Sequence, residues 1–219
     1  MELETTRVDL VRSLKEQAHS LIKQAIVKGT LRPGQVYSQQ RLSEWLGISR
    51  TPVREALLEL QSAGWVRIHR GIGTEVIPLS PDDVREIFEM RDALENKAFE
   101  LAVERMDEDS LAALEEICRR LEDHVGRGDV MAFLDDDREF HLIAARAAGN
   151  SRLASAIESL RDQFLRVGIY ALQRSGRMAE ATAEHLKILE GLKARDIQAV
   201  RAAVTEHLRA TYKEVLGAL

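Results

Sequence analysis

Cysteine is nearly absent from this chain. Cys118 stands alone among 219 residues, which excludes an intrachain disulfide and fits a reducing cytoplasm. Apolar runs long enough to span a bilayer are missing as well. The opening residues MELETTRVDL lack the apolar centre of a secretory signal, so the expected compartment is the cytoplasm, with no membrane partner. A strong excess of positive charge is also missing: the net charge is −5. Taken as an average, that argues weakly against nucleic acid. The two parts of the chain differ, however. Residues 1–78 hold 11 Lys+Arg against 8 Asp+Glu, whereas the remainder holds 20 against 28. A mildly basic first unit joined to an acidic second one is compatible with DNA binding, because only the contacting face has to be positive.

What is present in the first part is a series of short helical patterns punctuated by glycine. Val11, Leu14, Ala18, Leu21, Ile22 and Ala25 recur at helical spacing, which predicts a helix over about residues 9–28 that ends at Gly29. Leu31-Arg32-Pro33-Gly34 is a turn. A short helix over Gln39–Leu46 is closed by Gly47. Ser49 is placed to cap a third helix running from Arg50 to about Ala63, with Pro52 in its first turn. Two short helices joined through Gly47-Ile48-Ser49 have the form of a helix-turn-helix. In the third helix Val53, Leu57 and Leu60 share one face, while Arg50 and Arg54 share another, where their guanidinium groups could reach guanine edges and phosphates in a major groove. Trp65–His69 and Thr74–Ile77 read as strands. The turn Arg70-Gly71-Ile72-Gly73 between them would make a basic β-wing, and its two glycines are too few for a nucleotide loop. The plainer alternative is that these arginines are solvated surface charges.

The run Leu42-Ser43-Glu44-Trp45-Leu46-Gly47-Ile48-Ser49-Arg50-Thr51-Pro52-Val53-Arg54-Glu55-Ala56-Leu57, with Leu31-Arg32-Pro33-Gly34 before it, resembles the winged helix-turn-helix of the GntR superfamily of bacterial transcription factors. The resemblance covers about residues 10–77. It implies that Arg50 and Arg54 contact DNA and that Ser49, Thr51 and Gly71 lie near the backbone or groove, with Arg70 beside them in the wing. The chain has Gln40 where some members carry arginine.

Pro78–Pro81 is a short linker, so the domain boundaries are expected at 1–77 and 82–219. Ser80 with Asp83 resembles a capping box, and Pro81 suits a first helical position. After that the pattern is helical throughout, with six segments at roughly 82–106, 108–126, 129–148, 151–173, 178–194 and 196–217. Four polar residues fall on their apolar stripes. Asp137 and His141 share the stripe of Val130, Phe133, Leu134 and Ala144. His185 lies with Ala181, Ile188, Leu189 and Leu192, and His207 with Val200, Val204 and Leu208. Buried singly, each would be costly. Asp137 and His141 converge at i, i+4. The short turn near Lys193–Asp196 makes the last two helices antiparallel, so His185 and His207 sit at similar heights. Three imidazoles and a carboxylate suit Zn²⁺ best, with Mn²⁺, Ni²⁺ or Fe²⁺ as alternatives. His19, His69 and His124 are read as ordinary structural or surface residues.

Arg91 lies on the stripe of Val84, Ile87, Phe88 and Leu94 and needs an anion. Glu95 one turn later is one candidate, and a carboxylate effector is the other. Arg161 flanks its stripe and is a lesser candidate for the same role. The run Asp137-Arg138-Glu139-Phe140-His141, with Ala147-Ala148-Gly149-Asn150, Glu184-His185 and His207-Leu208, resembles the FCD effector domain of the FadR subfamily, in its six-helix, VanR-like form. The resemblance implies metal binding through Asp137, His141, His185 and His207, and a small organic acid rather than acyl-CoA as effector.

The expected fold is therefore mainly α: a winged helix-turn-helix followed by an antiparallel all-α bundle. The expected function is a homodimeric regulator, most simply a repressor, on a palindromic operator. Two rivals are a metal sensor, in which the ion is the signal, and a metal-dependent hydrolase. The latter lacks an obvious general base beside the cluster.

Overall fold

Ser13 opens the first helix of the computed structural model, which describes residues 13–218. The Ser13 hydroxyl accepts from the Glu16 amide and the Glu16 carboxylate accepts from the Ser13 amide, a capping box that starts α1 at Leu14–Val27. The helix therefore begins later than hydrophobic spacing predicts, and Val11 lies outside the described residues. Its buried face is also narrower than predicted. Ala18, Ile22, Ala25 and Ile26 are buried, whereas Leu14 and Leu21 are 52% and 46% exposed.

The chain divides into two compact units, Met1–Pro78 and Leu79–Leu219. In the first, α1 is followed by β1 (Val36–Tyr37), α2 (Gln39–Leu46), α3 (Arg50–Ser62), β2 (Val66–His69) and β3 (Gly73–Val76). Ser38 caps α2, and Gly47 ends it in the left-handed conformation at φ +68°. Ser49 occupies the cap position of α3, but its hydroxyl makes no capping bond, contrary to the sequence expectation. Val53, Ala56, Leu57 and Leu60 pack inward with Ile22 and Trp65. The strands form an antiparallel sheet in the order β1-β3-β2. The sequence reading missed β1, since two residues are too few to show alternation. Its pairing explains Gly73: a Cβ there would lie 2.8 Å from Val36 Cγ1 and 2.9 Å from the Tyr37 carbonyl oxygen.

The second unit holds six helices among the described residues: α4 (Pro81–Arg105), α5 (Glu108–Arg127), α6 (Val130–Ala147), α7 (Ser151–Ser175), α8 (Met178–Lys193) and α9 (Ile197–Ala218). All of these starts but that of α8 follow from side-chain capping. Ser80 and Asp83 form the expected capping box with Pro81 at the first position. Asp107, Asp129 and Asn150 cap the next three helices. The main core joins Phe99, Leu114, Ile117, Leu121, Phe133, Phe140, Ile188 and Val204 from five of the helices. No described helix is long and apolar enough to cross a membrane.

The α8–α9 hairpin sets the height of two of the four stripe residues. Its turn places Arg195 at φ +53°, and the Arg195 guanidinium donates to the Val103 and Met106 carbonyls at 2.7 Å, tying the turn to the end of α4. Asp196 then caps α9 through the amides of Gln198 and Ala199. At Gly191 the two helices touch closely enough that a Cβ would lie 2.8 Å from Val200 Cγ2 and 3.1 Å from its backbone nitrogen. Gly191→Ala should therefore overpack the crossing and destabilise the protein by about 1–3 kcal/mol, read as a lower midpoint of urea unfolding.

Candidate metal and effector centre

Five helices of the second unit bring polar side chains to one buried point. Helix α4 supplies Arg91 and Glu95, α6 supplies Asp137 and His141, α7 supplies Arg161, α8 supplies His185 and α9 supplies His207. All seven are buried. The four residues singled out from the stripes come together: one ligand atom from each of Asp137, His141, His185 and His207 lies within 4.8 Å of the others.

The hydrogen bonds of the imidazoles decide which atoms face inward. His141 Nδ1 lies 2.5 Å from Glu95 Oε2, His185 Nδ1 lies 2.7 Å from the Ala181 carbonyl oxygen, and His207 Nδ1 lies 2.9 Å from Glu184 Oε2. The Nδ1 atoms of His185 and His207 thus each have an acceptor, and His141 Nδ1 lies against Glu95 without hydrogen-bond geometry, so in all three rings Nε2 is the atom left to face the cluster. Those nitrogens converge. His185 Nε2 sits 3.3 Å from His141 Nε2 and 3.3 Å from Asp137 Oδ1. Acceptor facing acceptor in a buried cluster is unfavourable without a cation between them. Burial and the Arg161 charge push the His141 pKa well below its ordinary value. Burial and His185 do the same for His207. Three buried imidazoles and one carboxylate converging in this way fit a divalent transition metal.

The surrounding charges are balanced. Arg161 bonds Asp137 Oδ2, reaches the Asp137 carbonyl oxygen at 3.3 Å and lies 3.4 Å from Glu95 Oε2. It is thus central, not peripheral as its place beside the stripe suggested. Arg91 Nε donates to Glu95 Oε1 at 2.6 Å, while its two terminal nitrogens have no hydrogen-bond partner. The rings of Phe88 and Phe164 flank that guanidinium, with centroids 4.8 and 4.7 Å away. Glu95 and an external anion therefore need not compete for Arg91, since Glu95 uses only the Nε side. Burial alone would raise both carboxyl groups. Arg161 and His185 outweigh it at Asp137, and Arg91, His141 and Arg161 outweigh it at Glu95, so both are held well below the usual carboxylate range.

Beside the cluster is a cavity of about 20 Å³ bordered by Asp137, Phe164, Arg177, His207 and Thr211, room for about one water. Two carboxylates that the sequence reading did not place next to the site are there. Glu95 was considered only as a partner for Arg91. Glu184 entered only through its neighbour His185, and it reaches His207 from the facing helix. Its other oxygen is bonded by Arg177. The remaining histidines lie elsewhere: His69 pairs with Glu75 at 2.7 Å and His124 with Asp136 at 2.9 Å.

In the first unit Ser49, Arg50, Thr51, Arg54, Arg70 and Gly71 are all exposed. Arg50 and Arg54 stand on the outer face of α3. Among the described residues no carboxylate pairs with Arg50, Arg54 or Arg70.

Residues 14–76 match the GntR family of bacterial regulatory proteins, and residues 86–210 match the FCD domain. The chain belongs to the GntR family. The transcriptional regulator McbR of Escherichia coli K12 is 30% identical over 199 residues, covering 89% of each chain. The transcriptional repressor RspR of the same strain is 26% identical, covering 93% of this chain and 90% of its own. The solved structure of E. coli McbR superposes with a TM-score of 0.83 at 28% identity, covering 94% of this chain and 98% of that one.

As a GntR-family protein with an FCD domain, the chain is a transcriptional regulator rather than an enzyme. The hydrolase expectation drops out, although its stated weakness needs correcting. Carboxylates do stand beside the cluster, but Glu95 and Glu184 are engaged in orienting His141 and His207 and in pairing with arginines. In this GntR regulator Arg161 alone links Asp137 to Glu95, so Arg161→Met should leave buried carboxylate charge uncompensated. Metal-free protein carrying it is expected to lose about 3–5 kcal/mol, measured by denaturant unfolding in chelator.

Proposed function

We propose that this GntR-family regulator is a repressor whose operator binding is controlled by a small organic acid held at a divalent metal in the FCD domain. Asp137, His141, His185 and His207 would hold the metal, zinc by preference, and Arg91 and Arg161 would receive the acid. Residues 1–77 would read the DNA and residues 82–219 would sense the effector. The observation that carries this reading is the charge balance of the centre. Two arginines and two carboxylates already cancel there, and burial holds the pKa values of His141 and His207 well below the ordinary histidine value. A divalent cation leaves the buried site at about +2, which an anionic ligand offsets. The unpartnered terminal nitrogens of Arg91 suit the bidentate pattern of a carboxylate.

Bound there, the metal supplies coordination positions that a carboxylate oxygen can fill. The chain does the rest. Ala181 and Glu184 orient His185 and His207 through Nδ1, Glu95 stands against Nδ1 of His141, Arg161 holds Asp137 in place, and Phe88 and Phe164 keep water from the Arg91 face. The cavity of about 20 Å³ is too small for an organic acid. Binding therefore requires the surrounding helices to part, and an acid that prefers the parted arrangement shifts the population toward it. On the DNA side Arg50 and Arg54 would enter the major groove, with Ser49, Thr51, Arg70 and Gly71 against the backbone. A homodimer would place one α3 in each half of a palindromic operator, about 34 Å apart. The name of the relative RspR, a repressor, supports the sign of regulation.

The small cavity also favours a second reading, in which the ion itself is the signal. Metal exchange separates the two. A resident metal survives dialysis and the operator is released by carboxylic acids, whereas a signalling metal leaves on dialysis and its return alone changes DNA affinity.

The protein should hold one tightly bound metal per chain by elemental analysis, and chelation should lower its melting temperature by about 5–10 °C. His185→Ala should bind none and show no chelator effect; retention of stoichiometric metal would overturn the assignment. Mono-, di- and tricarboxylic acids, screened by thermal shift, should stabilise the metal-loaded protein but not its Arg91→Met variant.

A further inference from the structure

Arg177 stands between the buried centre and the surface. The cavity of about 20 Å³ beside the cluster is bordered by Asp137 and His207, and also by Ala171, Arg177 and Glu214. A second cavity, of about 600 Å³ and open to solvent, lies where the end of α7 and the start of α8 face the last turns of α9. It is lined by the same Ala171, Arg177 and Glu214, with Ala210, Lys213 and Gly217. The inner and outer cavities thus meet at three shared side chains. Ala171 is buried and fixed by the backbone of α7, whereas Arg177 and Glu214 are half-buried and end in flexible side chains. Arg177 occupies the cap position of α8 but makes no capping bond. Its guanidinium instead donates to Glu184 Oε1, and to Thr211 Oγ1 of α9 at 3.4 Å. The other oxygen of Glu184 lies 2.9 Å from His207 Nδ1. One carboxylate therefore separates the guanidinium at the threshold from a side chain of the centre.

We propose that the organic acid enters the centre through this outer cavity and that Arg177 admits it, exchanging Glu184 for the acid's carboxylate at the threshold. The inference rests on the reading of the centre as the effector site. A guanidinium already paired with a carboxylate can pass to another at little cost, because both offer the same planar pair of oxygens. A neutral or cationic molecule offers no such exchange, so the passage selects anions. Lys213, exposed on the outer rim, adds a second positive charge against the single carboxylate of Glu214. A mouth with an excess of one charge sign raises the arrival rate of the opposite sign. The rival entrance is a cavity of about 360 Å³ between α4 and α9 at Phe88 and Tyr212. Among the described residues it shares none with the inner cavity. Its Arg85 and Arg209 are matched by Glu89 and Asp92, so it carries no bias toward anions. The outer cavity at Arg177 has both the continuity and the charge.

The test uses the full-length protein loaded with Co²⁺, whose visible spectrum changes when a carboxylate joins the metal, mixed with acetate or succinate in a stopped-flow instrument. In the wild type the association rate should fall as salt is raised. Arg177→Met should lower that rate about tenfold and remove most of its salt dependence, and Arg177→Lys should recover part of it. Ala210→Trp narrows the outer cavity without bordering the inner one. It should slow association and dissociation by the same factor, about tenfold, and leave the equilibrium affinity within about twofold. That pattern marks a passage, since a lost binding contact changes the affinity. Glu89→Trp, in the rival cavity, should change neither rate. Unaltered rates in Arg177→Met or in Ala210→Trp, or slower entry in Glu89→Trp, would each overturn the proposal. The two tryptophan variants decide the route even where Arg177→Met does not hold its metal. A wild-type spectrum that neither acid alters would instead overturn the effector reading of the centre, and this inference with it.

Discussion

The FCD unit is organised around a buried ion network in which Arg161 joins Asp137 to Glu95 and Glu95 joins Arg91 to His141. Each charge is expensive to bury alone, and removing any one leaves another uncompensated. The network therefore ties α4, α6 and α7 together at one depth. It also dictates the chemistry of the site. Ala181 and Glu184 accept from the Nδ1 atoms of His185 and His207 and so turn Nε2 toward the cluster, and the contact of Glu95 with His141 Nδ1 leaves that ring facing the same way. An apolar core of equal volume would pack as well but would leave nothing with which to orient a ligand.

The two units solve opposite problems. In the first, the polar residues of interest lie outside: Arg50, Arg54 and Arg70 stay exposed and without carboxylate partners, while Leu57, Leu60 and Trp65 make the core. In the second, they lie inside and are paired almost to exhaustion. The exceptions at the centre are the terminal nitrogens of Arg91, the Nε of Arg161 and the Nδ1 of His141, which have no hydrogen-bond partner.

Much of this was legible in the sequence because the signals were local. Stripe positions brought Asp137, His141, His185 and His207 to one place, and Ser80, Pro81, Asn150 and Gly47 marked helix ends correctly. What was missed depends on contacts across the fold. The centrality of Arg161 could not be read from α7, whose apolar stripe it only borders. Glu184 faces His207 only once the hairpin closes at Gly191. The strand β1 exists because β3 offers it an edge, and Leu21 is exposed because nothing within the described residues covers that side of α1. Local spacing predicts which face a residue takes; it does not predict which neighbour will be there.

One consequence concerns α5. Of the six helices it alone contributes no side chain to the buried centre, although it packs against α6 and α8 and lends Leu114, Ile117 and Leu121 to the core. The other five are each bound to the centre by at least one polar group, so the distance between any two of them is registered at a single point. A change in the spacing of any two of those five helices would strain polar contacts at that point, and α5 is the one helix of the unit free of the constraint.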